Sequence, residues 1–124
     1  MKFRCACCHA TLSTRPRSEE GRNEVVAFPW YRDNRNLNHL GVVCLHCGTI
    51  HDAHASIVNT ILSPITGNPL RVISSVTPFE IGHVLLNAGR TADARDALKE
   101  IFSVPDWIID ILVEKRLLGG AYKY

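Results

Sequence analysis

Two cysteine pairs of identical spacing, Cys5-Ala6-Cys7-Cys8 and Cys44-Leu45-His46-Cys47, stand 35 residues apart and constrain this chain more than any other feature. Two thiolates three positions apart on a tight turn can point both sulfurs at one ion about 2.3 Å away, and two such turns complete a tetrahedron. The spacing therefore predicts that Cys5, Cys8, Cys44 and Cys47 hold a single Zn2+ ion. Gly48 follows the second pair where the chain must fold back beneath the sulfurs, and backbone amides in such turns help to neutralise thiolate charge.

The first pair is crowded, because Cys7 and His9 are also candidate ligands beside Cys8. Two other readings of the cysteines stand next to the metal site. In one, Cys5 and Cys8 are ordinary reduced thiols and only the second pair is ordered. In the other, Cys44-Leu45-His46-Cys47 is a thioredoxin-like redox pair, which requires a helix beginning at Cys47. Gly48-Thr49-Ile50 favours a strand there instead. In its two pairs and the β-prone runs beside them, the stretch from about residue 3 to residue 54 resembles the zinc-ribbon group, in which two CxxC knuckles on β-hairpins clamp one structural zinc. The resemblance implies that Val42-Val43 and Thr49-Ile50 are the strands flanking the second knuckle. The long insertion between the knuckles departs from the simplest ribbons.

The remaining sequence sets the frame around this site. A chain of 124 residues, 46% hydrophobic and 21% charged, is the size of one globular unit with its own core. The N-terminus runs straight into cysteines without a signal-like apolar stretch, and no apolar run is long enough for a bilayer, so a cytoplasmic protein with no membrane partner is expected. Five cysteines in a reducing compartment do not make a disulfide framework. The formal charge of +2 gives no net-charge argument for nucleic acid, since four thiolates and one divalent ion bring it to about zero.

The chain reads as α+β: an N-terminal zinc ribbon with a long insertion (residues 1–62), a connecting segment (63–77) with a short β stretch near Leu70 to Val76, and a C-terminal three-helix lobe (78–124). Val25-Val26-Ala27-Phe28 and Leu40-Gly41-Val42-Val43 are β-prone, Ser13 to Asn23 lacks apolar periodicity, and Asp33-Asn34-Arg35-Asn36 is a turn cluster. Thr77-Pro78-Phe79-Glu80 predicts a capping box opening a helix from Pro78 to Asn87, stopped by Gly89. Thr91 is expected to cap the next helix, through Ala94, Leu98, Ile101 and Phe102. Ser103-Val104-Pro105-Asp106 is expected to open the third helix by the same capping logic, with Gly119-Gly120 ending it. That helix carries more apolar surface than one buried stripe uses, and Asp106, Asp110 and Glu114 form its narrow polar line. Either its own neighbours cover the excess or the C-terminal helices form a homodimer.

No nucleophile elbow, phosphate loop, dinucleotide fingerprint or paired catalytic carboxylates can be read, so an enzyme has no positive support. His51 and His54, with His39 or Asp52 as a further ligand, could form a second, catalytic metal site in a zinc-dependent hydrolase. The bland reading makes both histidines solvent-facing. His46 is expected to face water and His83 to pack within its helix. Trp30, Tyr31, Arg32 and Arg35 form the densest aromatic and basic segment, suited to stacking bases and holding phosphates or to anchoring a protein. The alternative packs Trp30 beneath the ribbon. Together these features suggest a small zinc-binding recognition module with a protein or nucleic-acid partner.

Overall fold

The structure, a computed structural model, describes residues 2–13, 24–58, 61–87 and 94–118. The helix signals at Gly89, Thr91 and Gly119-Gly120, and the loop expected over 14–23, lie outside them.

Among the described residues, seven strands and three helices follow one another in the order β1 (Lys2–Arg4), β2 (Thr11–Ser13), β3 (Val25–Arg32), β4 (Asn38–Cys44), β5 (Ile50–Ala55), β6 (Ile61–Leu62), β7 (Pro69–Val76), α1 (Pro78–Asn87), α2 (Ala94–Phe102) and α3 (Asp106–Glu114). The fold is α+β, as expected. β1 and β2 form a small hairpin, and the other strands make an antiparallel sheet in the order β3-β4-β5-β7-β6. The β stretch near Leu70 to Val76 is β7, which pairs with β5 along most of its length and seats β6 at the sheet edge.

Side chains alternate across a strand, so each β-prone run serves two cores. Val26, Phe28, Val43 and Ile50 point to one face, where they meet Ile81 and Leu85 of α1, Ala97 and Leu98 of α2, and Ile108, Ile109 and Leu112 of α3. Val25, Ala27, Val42, Cys44, Ala53 and Leu70 point to the other, against Cys5 and Leu12 of the small hairpin. The sheet thus lies between the helices and the cysteine hairpin. At the outer edge β3 carries Pro29 and a register shift between Pro29 and Tyr31, two devices that keep an open edge from pairing further.

α1 begins as the sequence predicts, with the Glu80 amide donating to the Thr77 hydroxyl at 3.2 Å. The start of α3 differs. Pro105 occupies its N-cap with no side-chain cap bond, because Ser103 is used in the left-handed region (φ 53°) to stop α2. The end of α3 differs as well: the helix stops at Glu114, not at Gly119-Gly120. Arg116 takes the left-handed position (φ 54°), its amide and that of Leu117 reach back to the Val113 and Leu112 carbonyls, and the chain reverses in a Schellman motif. The reversal lays Leu117 on the second cysteine turn, where a Cβ at Gly48 would sit 2.6 Å from the Leu117 carbonyl oxygen. α3 spends Ile108, Ile109 and Leu112 in the core and leaves Trp107 half-exposed, while Arg95 and Lys99 of α2 bridge Asp106 and Asp110. His83 is exposed rather than packed within its helix, and its ring lies stacked beside Phe79.

Gly41 is fixed by packing, since a Cβ there would lie 2.5 Å from the Phe28 ring. Gly41→Ala is expected to displace that buried ring and lower stability by about 1–3 kcal/mol, read as a lower denaturant midpoint with the metal still bound.

Candidate metal centre and the turn at the far end of the sheet

The two cysteine turns are built alike. In the first, the Cys5 amide donates to the Ala10 carbonyl and the His9 amide to the Cys5 carbonyl; in the second, the Cys44 amide donates to Thr49 and the Gly48 amide to Cys44. Each closes with its fifth residue in the left-handed region, His9 at φ 63° and Gly48 at φ 85°. In the first turn the Cys7 amide donates to the Cys5 sulfur at 3.5 Å, and in the second the amides of His46 and Cys47 do the same for Cys44. The amides of Ala10 and Thr49 serve Cys8 and Cys47.

The hairpins β1–β2 and β4–β5 bring the turns face to face. The sulfurs of Cys5, Cys8, Cys44 and Cys47 all lie within 4.8 Å of one another, with Cys5 to Cys47 at 3.6 Å and Cys8 to Cys44 at 3.8 Å. A tetrahedron with bonds of about 2.3 Å has edges of about 3.8 Å, so the four thiols match the cage of a tetrahedral thiolate site, and they are far beyond the roughly 2 Å of a disulfide. Cys5 and Cys44 are buried, Cys47 is half-buried and Cys8 is exposed. Cys7 and His9 are exposed outside the cluster. Burial works against the Cys47 thiolate, but hydrogen bonds from the Thr49 hydroxyl and amide, and then from Cys5 and Cys8, lower its pKa to about 7. Burial dominates at Cys44 and raises its pKa.

His51 and His54 are not brought together. They belong to a strand, and three positions along a strand reverse the face. His51 lies beneath the first knuckle: its Nδ1 donates to the Val42 carbonyl at 3.1 Å, its Nε2 accepts the Ala6 amide at 3.2 Å, and Phe3 meets it edge-on. Burial lowers its pKa, partly offset by the Val42 bond. With both nitrogens used, the ring braces the knuckle as a neutral imidazole. His54 lies on the opposite face beside His39, with ring centroids 5.3 Å apart. His46 is exposed.

His39 and Asp52 do come together, in a network that the sequence pattern does not reveal. The β3–β4 register sets Tyr31 opposite His39, and their rings stack at 4.3 Å. His39 Nδ1 donates to Asp52 at 2.6 Å and Nε2 to Asp33 at 2.7 Å, while the Tyr31 hydroxyl donates to the second Asp52 oxygen. That bond, then burial and the nearby carboxylates, push the Tyr31 phenol up to about 12. The other Asp33 oxygen accepts the amides of Arg35 and Leu37. The usable signal was the turn cluster itself, since a hairpin closing around Asp33 to Leu37 must pair Tyr31 with His39.

Of the expected contact residues, Tyr31, Arg32 and Arg35 are exposed. Trp30 is half-buried on the helical core, where its indole N–H donates to the Phe102 carbonyl. A depression of about 420 Å³ lies along this edge, lined by Pro29, Trp30, Tyr31, Asn38, His39 and Leu40. Comparison with models of known families, with curated proteins and with solved structures finds no match.

Because His9 bears the backbone strain that Gly48 avoids, His9→Gly is expected to raise stability by about 1 kcal/mol with metal content per chain unchanged. Loss of metal in that variant would instead identify His9 as a ligand.

Proposed function

We propose that this chain is a small zinc-binding recognition module of zinc-ribbon type, in which the ion is structural and an exposed segment at the far end of the sheet meets a protein or nucleic-acid partner. The observation that carries the reading is the donor set. Four thiols fill a tetrahedron and leave no position for a water or substrate, and a site closed in this way supports folding rather than catalysis. All-sulfur tetrahedral donors suit zinc. The two turns join β1–β2 to β4–β5 across a short core, so metal-binding free energy, on the order of 10 kcal/mol for such sites, becomes folding free energy.

The contact segment in this reading is Tyr31, Arg32 and Arg35 around the edge depression, with Trp30 as its inner support rather than as a free stacking surface. Arg32 is oriented by Asn38, whose side-chain oxygen accepts from Nε at 3.1 Å. A two-fold contact through the C-terminal helices would use Trp107, the half-exposed apolar residue of α3, because Ile108, Ile109 and Leu112 are already buried.

Cys44→Ser or Cys47→Ser is expected to abolish zinc binding, measured by metal analysis of purified protein, and to unfold residues 1–54. Protein that binds no zinc, or variants that melt like the parent, would end the reading. The Arg32→Ala, Arg35→Ala double variant is expected to retain zinc. With a randomised single-stranded oligonucleotide as probe, a nucleic-acid partner predicts binding that weakens steeply with salt and at least tenfold in the double variant, because phosphate contacts release counterions. Absence of oligonucleotide binding by the parent would exclude the nucleic-acid partner.

A further inference from the structure

His39 is only 4% exposed, yet both of its ring nitrogens face carboxylates, Asp52 at 2.6 Å and Asp33 at 2.7 Å. An ionised carboxylate can only accept, so both contacts are hydrogen bonds only when both nitrogens carry protons. The geometry therefore selects the imidazolium. Once one proton leaves, one carboxylate must face a bare nitrogen lone pair. Asp52 retains the Tyr31 hydroxyl as a donor and is nearly buried, whereas the Asp33 side chain is 23% exposed and can turn to water. Asp33 is then the group released, and its other oxygen is the acceptor that holds the Arg35 and Leu37 amides.

We propose that His39 is a proton-operated clamp on the Asp33–Leu37 turn, which fixes Arg35 in place when the ring is charged and frees the turn when the ring is neutral. Its consequence for binding rests on the reading of Tyr31, Arg32 and Arg35 as the contact segment; the clamp itself does not. The ionisable groups facing the ring are Tyr31 from β3, Asp33 from the turn, and Asp52 and His54 from β5, with Arg71 of β7 next across the sheet from His54. None of them belongs to the cysteine cluster. Burial opposes the charge on His39, but the bonds to Asp33 and Asp52 outweigh it and hold its pKa above the ordinary value; the His39 bond, with the amides, holds Asp33 below its own. The stabilisation from His39 is thus complete below the ordinary histidine pKa of about 6.5 and is lost as pH rises through the raised one. That from Asp33 is lost only in acid, as pH falls through its lowered value.

The test is an NMR titration of the zinc-loaded full chain, following the His39 ring nitrogens and the exchange protection factors of the Arg35 and Leu37 amides. His39 is expected to titrate above about 6.5, with protection of both amides falling at least tenfold through the same midpoint. The Cys44 amide, bonded to Thr49, keeps its protection. Asp33→Asn keeps an oxygen for the two amides while removing the charge, so it lowers the His39 midpoint and makes turn protection independent of pH. His39→Gln lowers turn protection at every pH with zinc content unchanged. A His39 midpoint at or below about 6.5, or amides that stay protected through its titration, would overturn the clamp. The Arg32→Ala, Arg35→Ala variant separates the two ideas, because any oligonucleotide binding by the parent weakens at least tenfold in it if the contact segment meets nucleic acid, while the clamp titration stays in place either way.

Discussion

The convergence of four sulfurs from two distant turns is the constraint on which the remainder of the structure depends. The small hairpin β1–β2 contributes few side chains to any core, chiefly Leu12 and Cys5, and a two-stranded hairpin of this size is not stable alone in water. It is held by the cysteine cluster and by His51, which accepts the Ala6 amide from below. On the other side the second knuckle is also the seat of the helices: Leu45 packs on the helical core, and Gly48 admits the Leu117 backbone where any side chain would clash. One turn of chain therefore connects the metal cage, the sheet and the end of α3. This is also why α3 stops where it does, since a helix continuing to Gly119 would carry Leu117 away from that contact.

The sheet uses its two faces differently along its length. Near the metal both are covered, by helices on the side of Val43 and Ile50 and by the cysteine hairpin on the side of Val42 and Cys44. Further along β4 the helix-facing side becomes polar, with His39, Asp52 and His54 in place of aliphatic residues, and the β3–β4 turn projects beyond it. The register shift at Pro29 to Tyr31 lets two adjacent aromatic residues serve this transition: Trp30 reaches α2 through Phe102, and Tyr31 covers His39.

Local signals in the sequence were legible where short-range chemistry decides. The CxxC spacing located the cysteine cluster, the Thr77-Pro78 cap placed the start of α1, and the short β-prone runs placed β3 and β4. Ser103 and Arg116 adopt backbone angles normally left to glycine, so Ser103 ends a helix where its side chain suggested a beginning. His51 and His54 look like a chelating pair only if their segment is helical. Once β5 pairs with β4, strand parity sends one under the knuckle and the other to the opposite face. The His39 network was hidden for a related reason, since its four groups come from two strands, a turn and a third strand, and only the pairing register brings them together.

β4 is consequently held at both ends by unrelated interactions, Cys44 in the cysteine cluster and His39 between two carboxylates. Five residue steps of extended chain, about 17 Å at the usual rise per residue, separate them. The structural connection between them is the strand itself, which pairs with β3 from Asn38 to Cys44 except at the register shift between Pro29 and Tyr31, and with β5 from His39 to Val43. A perturbation of the turn reaches the cysteines only through those ladders, whereas Cys44 itself packs against Cys5 and Leu12 of the small hairpin. The two ends are unequal for that reason: the cysteine end lies where the helices and the small hairpin both meet the sheet, and the histidine end contacts one turn at its edge.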